Sequence, residues 1–506
     1  MNDNNLFVNQ LLADYKFSEK ISVNAGVAYN TMRGSEPDRK TNTYGYDYSG
    51  SNGQIVGLFP GLNNRYFSTM EENDLTAKAE LDFTLNPTGE LKKVLTVGGN
   101  YRTTDRTFNY IQINYSFLNI TPINIDNPEA VFNQQNLDLG RANGGFDLVT
   151  LRGTGANAFN PYFYMADRKV AAGYAQLVYP FSEKLTAQVG VRFESFKQKI
   201  DWDTYLSSSV NDLTVDPSKI EKTYVLPSIN LKYSINEKNA LRFAASETYT
   251  MPQFKEAAPF LYEDVNFSEF GNPDLVPSTD FNFDLKYDWY LSKKEIISFG
   301  TFYKYIQDPI SRVRVSSASN DLSYINTSSA FATGVEVEVR KSVYSFEGEN
   351  RNRDLSFGLN TSFLYTEQEQ DDVKSDKLTP SFTHDKGKMQ GASPLLINAD
   401  LSYNTSNQQT ALTSTVVFNY AYDKVYSLGT VGLENIVEKS VPTLDFINRF
   451  ELKKYKLGIN LGVKNLLDPK FRLTQETTDL SGQKSETEVN SYRKGLMVSF
   501  GLNWTL

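Results

Sequence analysis

Leu496-Met-Val-Ser-Phe-Gly-Leu-Asn-Trp-Thr-Leu506 ends the sequence with an apolar side chain at every second position: Leu496, Val498, Phe500, Leu502, Trp504 and Leu506. Mostly small or polar residues stand between them. Period-two alternation of this length specifies a β-strand with one apolar and one polar face. The same pattern recurs upstream. Ala77, Ala79, Leu81, Phe83 and Leu85 alternate with Lys78, Glu80, Asp82 and Thr84, and Phe281, Phe283, Leu285, Tyr287 and Trp289 alternate with Asn282, Asp284, Lys286 and Asp288. Val335, Val337 and Val339 alternate with Glu336, Glu338 and Arg340. A chain of 506 residues built from such strands is either a very large soluble β-protein or a membrane barrel, apolar toward lipid and polar toward its lumen.

Composition narrows the choice. Aromatic residues make up 13% of the chain, with 31 Tyr, 33 Phe and 3 Trp, yet the mean hydropathy is negative at -0.44. No run of 18 apolar residues occurs, so a helical membrane span is excluded, and the weak signal of each separate strand is the one a transmembrane barrel gives. Cysteine is absent, which suits a chain that crosses an oxidising compartment. A net charge of -9 without a basic cluster argues against a nucleic-acid surface. No charged segment followed by an apolar stretch opens the chain, so a secretory signal is expected outside residues 1–506, and the chain is expected to be a fragment of a longer precursor.

Alternation places strands at 6–17, 20–33, 73–86, 93–115, 167–181, 184–202, 220–235, 239–251, 278–291, 295–313, 322–342, 354–370, 393–405, 409–429, 442–454, 456–468 and 491–506. That is about seventeen, several of them longer than the roughly 9 to 11 residues that cross a bilayer at a tilt. The connections alternate short and long in strict order: 18–19, then 34–72; 86–92, then 116–166; 182–183, then 203–219; 236–238, then 252–277. They continue as 292–294, then 314–321; 343–353, then 371–392; 406–408, then 430–441; and Tyr455, then 469–490. One end is trimmed and the other elaborated, as in outer-membrane barrels with short periplasmic turns and long outer loops. A soluble sandwich shares the strand alternation but has no reason to keep that asymmetry. Seventeen is odd and bacterial single-chain barrels are even, so at least one strand is expected on the N-terminal side of this chain.

Residues for catalysis are scarce. His384 is the only histidine, so His-based triads and His or Cys metal sites reduce to one residue in a polar stretch, and no catalytic residue, metal or cofactor is assigned. Glu336 and Glu338 share a strand face and read as lumen-facing charges in water, against the sharper reading of a glycosidase pair. Asp371-Asp372 lacks the spacing of a calcium loop. Gly98-Gly99, Gly144-Gly145 and Gly153-x-Gly155 are not followed by Lys-Ser or Lys-Thr, so they read as bends in the wall or loop joints rather than phosphate loops. The aromatic loop from Tyr44 to Phe67 is the candidate for ligand contact through Tyr44, Tyr46, Tyr48, Phe59 and Tyr66, since aromatics offer large stiff surfaces on a rigid scaffold; loop-to-loop packing is the plainer alternative. The Asn-, Gln- and Gly-rich loop 116–166 is a second candidate.

Four segments resemble the C-terminal barrel of TonB-dependent outer-membrane receptors, particularly those of Bacteroidota: Thr250-Met-Pro-Gln-Phe-Lys-Glu-Ala-Ala-Pro-Phe260, Gly271-Asn-Pro-Asp-Leu-Val-Pro277, Phe302-Tyr-Lys-Tyr-Ile-Gln-Asp-Pro-Ile310 and Gly462-Val-Lys-Asn-Leu-Leu-Asp468. On their own chemistry, Pro273 and Pro277 around Asn272 and Asp274 form a rigid turn into the next strand, and Asn465 and Asp468 close another. The resemblance spans nearly the whole chain. It implies an all-β transmembrane antiparallel barrel in which residues 1–506 are the last part of 22 strands, with the plug and first strands elsewhere. It ends in Leu506 where the family often ends in an aromatic. Implied too are an outer-membrane location amid lipid and lipopolysaccharide, a small-molecule or glycan ligand such as a siderophore or oligosaccharide, the TonB complex acting through the plug, and a surface lipoprotein partner. The competing expectations are a passive porin-like channel, a structural or secretion barrel that reuses the fold, and a soluble carbohydrate-active β-enzyme.

Overall fold

The computed structural model describes residues 3–46, 54–56, 63–153, 155–204, 217–263, 267–315, 321–370, 373, 375, 378–478 and 483–504. Among the described residues seventeen long strands run up and down in sequence order. They are β1 (Asp3–Lys16), β2 (Ile21–Asn42), β3 (Asn63–Thr84), β4 (Val94–Phe117), β5 (Tyr162–Pro180), β6 (Leu185–Asp203), β7 (Ser218–Asn236), β8 (Asn239–Thr250) and β9 (Ser278–Tyr290). There follow β10 (Ile296–Gln307), β11 (Ser329–Glu347), β12 (Asn352–Glu369), β13 (Leu395–Ser406), β14 (Thr410–Ala421), β15 (Val441–Leu452), β16 (Leu457–Lys464) and β17 (Met497–Trp504). Each pairs antiparallel with its sequence neighbours. Two short strands, Phe146–Thr150 and Lys386–Gly387, join the same sheet beside β4 and β12. β1 pairs only with β2 and β17 only with β16, and among the described residues these two edges do not pair with each other.

The faces of the sheet are inverted relative to a soluble protein. On β9, Phe283, Leu285 and Trp289 are 45%, 43% and 42% exposed, whereas Asp280 and Asp288 on the other face are 3% and 2% exposed. Phe299 and Tyr303 of β10, Val335 of β11 and Phe363 and Tyr365 of β12 continue the exposed apolar face, while Glu194, Ser298 and Thr104 are buried on the opposite one. Apolar surface on this scale is far beyond the few hundred Å² a soluble monomer leaves in water, and it matches a lipid-facing wall. Near the short turns the exposed face carries Tyr15, Phe17, Phe181, Tyr233, Trp289, Tyr344, Phe346, Tyr455 and Trp504, an aromatic girdle at one membrane interface. No helix among the described residues is long and apolar enough to cross a membrane.

The inner face is a field of paired charges. Arg102 meets Asp74 at 2.6 Å, Arg106 meets Glu72 at 2.6 Å, Arg242 meets Asp288 at 2.7 Å and Lys286 meets Glu338 at 3.4 Å. Glu338 is thus one of these inner-face charges, and Glu336 lies two residues along on the same face of β11. Gly98, on β4, leaves room for the Tyr174 ring, which a Cβ there would meet at 2.7 Å, and the Tyr174 hydroxyl donates to Glu80 at 2.6 Å.

The alternation of short and long connections is as expected, but several strand bounds differ. β2 and β3 run well past 33 and well before 73, because the polar stretches 34–42 and 63–72 hydrogen-bond to each other above the apolar belt. The expected strand 295–313 is two: β10 stops at Gln307, Asp308 turns with φ 56, and Ile310–Arg314 pairs with Leu322–Asn326 in a separate sheet. The expected strands 322–342 and 409–429 are likewise divided, the latter between β14 and Lys424–Ser427. The strand expected over 456–468 ends at Lys464, where Asn465 and Asp468 take positive φ of 60 and 37. The segment 491–496 lies outside β17, the break falling at Gly495 with φ 75.

Candidate ligand-contact surface

Residues 251–263 and 267–277, between β8 and β9, fold over the inner face of the wall, and their local chemistry explains how. The helix Phe254–Ala257 is capped by Glu256, whose carboxylate accepts from the Gln253 N–H at 2.8 Å. Gly271 lies so close that a Cβ would stand 2.1 Å from the Ala258 carbonyl oxygen. Only a glycine lets this approach happen. The next residue, Asn272, is fully buried: its N–H donates to Glu256 O at 2.6 Å, and its side-chain amide donates to Tyr324 O at 2.9 Å. The segments 250–260 and 271–277 are thus one folded unit, tied to the strand Leu322–Asn326 of the neighbouring loop.

That unit packs on an aromatic shelf. Tyr66 of β3, Phe108 and Tyr110 of β4 and Tyr162 and Tyr164 of β5 meet Phe254, Phe260 and Tyr262 from the loop in one cluster. The Phe260 ring centroid lies 4.5 Å from that of Tyr110, 5.0 Å from Phe108 and 5.7 Å from Tyr164. Each such pair contributes about 0.5–1.5 kcal/mol beyond area burial. Two cations clamp the loop from the wall: Arg106 and Arg168 stand 5.1 and 4.4 Å from the Phe254 ring, and Arg168 donates to Pro252 O at 3.0 Å. Arg39 of β2 lies 4.4 Å over Tyr66, beside a cavity of about 240 Å³ that reaches Phe108 and Tyr262.

An ion cluster holds the loops together. Glu269 accepts from Lys255 at 2.6 Å, from Arg312 at 2.9 Å and from the Tyr324 hydroxyl. Burial pushes the Glu269 carboxyl up, but Arg312, Lys255 and Tyr324 outweigh it and hold the group below the usual carboxylate range. Glu256 moves the other way: burial pushes it up against the opposing hydrogen bond from the Gln253 N–H. A second apolar cluster, with Phe270, Val313, Ile325, Leu378, Val425 and Leu428, joins four of the long loops. His384 is exposed and lies 3.3 Å from Glu434. Among the described residues no group of three or more His, Asp or Glu side chains is placed to hold a metal ion.

Of the five aromatics singled out in the sequence, Tyr44 and Tyr66 have described side chains, and these two lie in different apolar clusters. Tyr44 sits in a short strand, Tyr44–Tyr46, and packs against a cluster of Phe117 at the end of β4 with Ile123 and Phe146 of the segment that follows it. Tyr46 has its backbone in the same strand, and Tyr48 and Phe59 lie outside the described residues. Tyr66 is not on the loop: it belongs to β3, where it is buried on the inner face. Asp371-Asp372 also lies outside the described residues. The loop 118–161 has its own order, with a helix Gln134–Leu139 capped by Asn133, whose side chain accepts from Asn136 N at 2.9 Å. Reading the sequence missed Phe108, Tyr110, Tyr162 and Tyr164. Their signal was parity: they are aromatics on the face that carries Thr96, Arg102 and Thr104 lower in the same wall.

The comparisons with known proteins agree with this geometry. No curated protein matches the sequence. Among solved structures, the ferric yersiniabactin uptake receptor FyuA of Yersinia pestis superposes with a TM-score of 0.58 at 12% identity, over 99% of this chain and 60% of that one. The siderophore receptor PiuA of Acinetobacter baumannii gives 0.59 at 14% identity, over 99% of this chain and 64% of that one. The ferric-catecholate import receptor Fiu of E. coli K12 gives 0.59 at 12% identity, over 93% and 61%. The likeness at such identities is one of fold, and the chain spans about three-fifths of each receptor's length. The family model described as TonB dependent receptor-like, beta-barrel, matches residues 3–466. Inside-out wall, asymmetric connections and family match agree, and the chain belongs to the TonB-dependent receptor β-barrel family, a family of outer-membrane receptors rather than enzymes.

Proposed function

We propose that this chain is the ligand-admitting wall of a receptor that imports a scarce solute, such as a siderophore or an oligosaccharide, across the outer membrane. The observation that carries the reading is the contrast between the two faces of β9, lipid-exposed Phe283 and Leu285 against buried Asp280 and Asp288. A wall of that kind encloses water, and the aromatic shelf at its long-loop end gives a solute a surface to meet before it enters. The complete barrel has 22 strands in this reading. Its remaining strands satisfy the edges of β1 and β17, because an unpaired strand edge is not tolerated in hydrocarbon. A separate plug fills the bore, and the inner-membrane TonB complex acts on that plug. Lipopolysaccharide surrounds the wall, and a surface lipoprotein covers the long loops.

The test is uptake in a strain lacking its own receptor. The complete protein is expected to restore accumulation of its solute only when TonB is present, and residues 1–506 alone are expected to restore none. Energised uptake at the full rate by residues 1–506 would overturn the division of labour between wall and plug. Uptake by the complete protein that ignores TonB would replace the receptor with a passive channel.

A further inference from the structure

The pairing of β2 with β3 shifts register once. Glu36 lies opposite Ser68 and Arg39 opposite Tyr66, so Pro37 and Asp38 together face one residue, Phe67. A bulge of this kind re-aims the side chains beyond it. Lower on β2 the odd-numbered residues look outward, as exposed Val27 and Tyr29 do. Past the bulge Arg39 turns inward and covers the Tyr66 ring at 4.4 Å. The bulge is fixed chemically: Pro37 has no N–H for the ladder, and Asp38 accepts two hydrogen bonds from Arg65, at 3.0 and 2.8 Å.

What the bulge delivers is one wall of the 240 Å³ cavity, which Glu36, Arg39, Ser35 and Ser68 share with Phe108 and Tyr262. The two aromatic rings are only partly buried and give flat apolar faces. Around them stand the Ser68 hydroxyl, the Glu36 carboxylate and the Arg39 guanidinium. The charges come in pairs: Glu36 with Arg39 at 3.5 Å; Lys255, whose Nζ lies 4.6 Å from the Tyr262 ring, with Glu269 at 2.6 Å; and, lower on the same inner face, Glu72 with Arg106 at 2.6 Å. The cleft therefore offers donors and acceptors without a surplus of either sign. An anionic chelate or a cation gains little from such a field. A neutral pyranose ring fits it: the C–H face lies on an aromatic ring, and neighbouring hydroxyls exchange hydrogen bonds with the guanidinium and the carboxylate. The volume is below the roughly 300–1,000 Å³ of pockets that hold a whole ligand, so it takes one ring of a longer molecule.

We infer that the bulge-built cleft at Glu36, Arg39, Phe108 and Tyr262 is a subsite for one sugar ring of a neutral oligosaccharide. The inference rests on the receptor reading and names its substrate class. To test it, the complete receptor in detergent is titrated calorimetrically with maltotriose, cellotriose, mannotriose and xylotriose, and in parallel with ferric citrate and trialanine. Heat-modifiable gel mobility of each variant establishes that its wall is folded. At least one trisaccharide is expected to bind, with Arg39→Ala and Glu36→Gln each weakening it at least tenfold and Phe108→Leu severalfold. Arg33→Ala, on the outward face of the same strand, is expected to change nothing. No binding of any of the four sugars, or sugar binding indifferent to Arg39→Ala and Glu36→Gln, overturns the inference. Saturable binding of ferric citrate or trialanine in their place also overturns it while leaving a receptor, whereas loss of TonB-dependent uptake of every solute would strike at the receptor reading itself.

Discussion

Asn326 grips the backbone of Val276 with both of its side-chain polar atoms: the amide nitrogen donates to Val276 O at 2.9 Å, and the side-chain oxygen accepts from Val276 N at 2.9 Å. The same nitrogen donates to Asp308 O at 2.7 Å, and the residue is 1% exposed. One side chain thus replaces a strand partner for the end of the loop 251–277. Asn326→Ala removes three hydrogen bonds and leaves buried backbone groups unpaired, at about 1–3 kcal/mol for each group stranded. Hydrogen exchange is expected to show lost protection across 267–277 with the wall strands unaffected. Unchanged protection there would mean that other contacts hold the loop.

Gly271→Ala is expected to lift the loop from its seat by a different route. The new methyl would meet the Ala258 carbonyl oxygen at 2.1 Å and the Lys255 carbonyl oxygen at 2.7 Å, and backbone must move to relieve it. Phe254 and Phe260 then leave the aromatic shelf, so limited proteolysis within 251–277 should speed up. Gly173→Ala, on the wall where a Cβ meets nothing within 4 Å, serves as control and should stay within about 0.5 kcal/mol of the parent.

The loop cluster around Glu269 makes the outer end acid-sensitive. Its folded carboxyl is held below the ordinary range by Arg312, Lys255 and Tyr324 despite burial. A depressed carboxylate contributes stability that is fully present above the unfolded value, about 4.3 for glutamate, and is lost as pH falls through the folded value. Glu256 has the opposite sign. Raised by burial, it favours the folded loop at low pH and loses that contribution as pH rises from the unfolded toward the folded value. Exchange rates in 251–263, 267–277, 310–315 and 321–326, each divided by the intrinsic rate of an unstructured amide at the same pH and followed downward from pH 6, should therefore rise below about pH 4.3. Glu269→Gln should flatten that rise while loosening the loops at every pH, since Arg312 then keeps its burial without its counter-charge. An unchanged acid profile in this variant would assign the sensitivity elsewhere.

The wall was legible in the sequence because lipid enforces its rule over many residues. Phe281 to Trp289 and Leu496 to Leu506 alternate without interruption, and short turns such as 237–238 are marked by polar residues. What failed to read was everything above the apolar belt. There β2 is polar on both faces and β3 has Tyr66, Phe67 and Met70 without strict alternation, so period two carries little contrast, and the bulge at Pro37-Asp38 switches the parity just where Arg39 becomes informative. Ile310–Arg314 continues the alternation of β10 although Asp308 has already turned the chain away, so pattern alone fused two strands. Tyr66 was legible as an aromatic near a loop but not as an inward residue, because its surroundings come from Tyr110, Tyr162 and Phe260, far away in sequence.

Depth along the outward face should set the cost of a charge. Leu285 lies mid-strand on β9 and Ile235 lies beside the short turn after β7, and both side chains are exposed, at 43% and 41%. In a soluble body an exposed leucine and an exposed isoleucine tolerate arginine equally well. In a lipid-facing wall Leu285→Arg is expected to cost about 2–4 kcal/mol and Ile235→Arg about 0–1, because the penalty falls from the bilayer midplane to its interface. Asn282→Asp, on the inner face of the same strand as Leu285, stays in water and should cost less than about 1 kcal/mol. The measurement is guanidinium unfolding of the complete receptor in vesicles, with refolded and heat-modifiable fractions scored for each variant. Equal costs at 285 and 235 would remove the hydrocarbon from the outward side of this sheet.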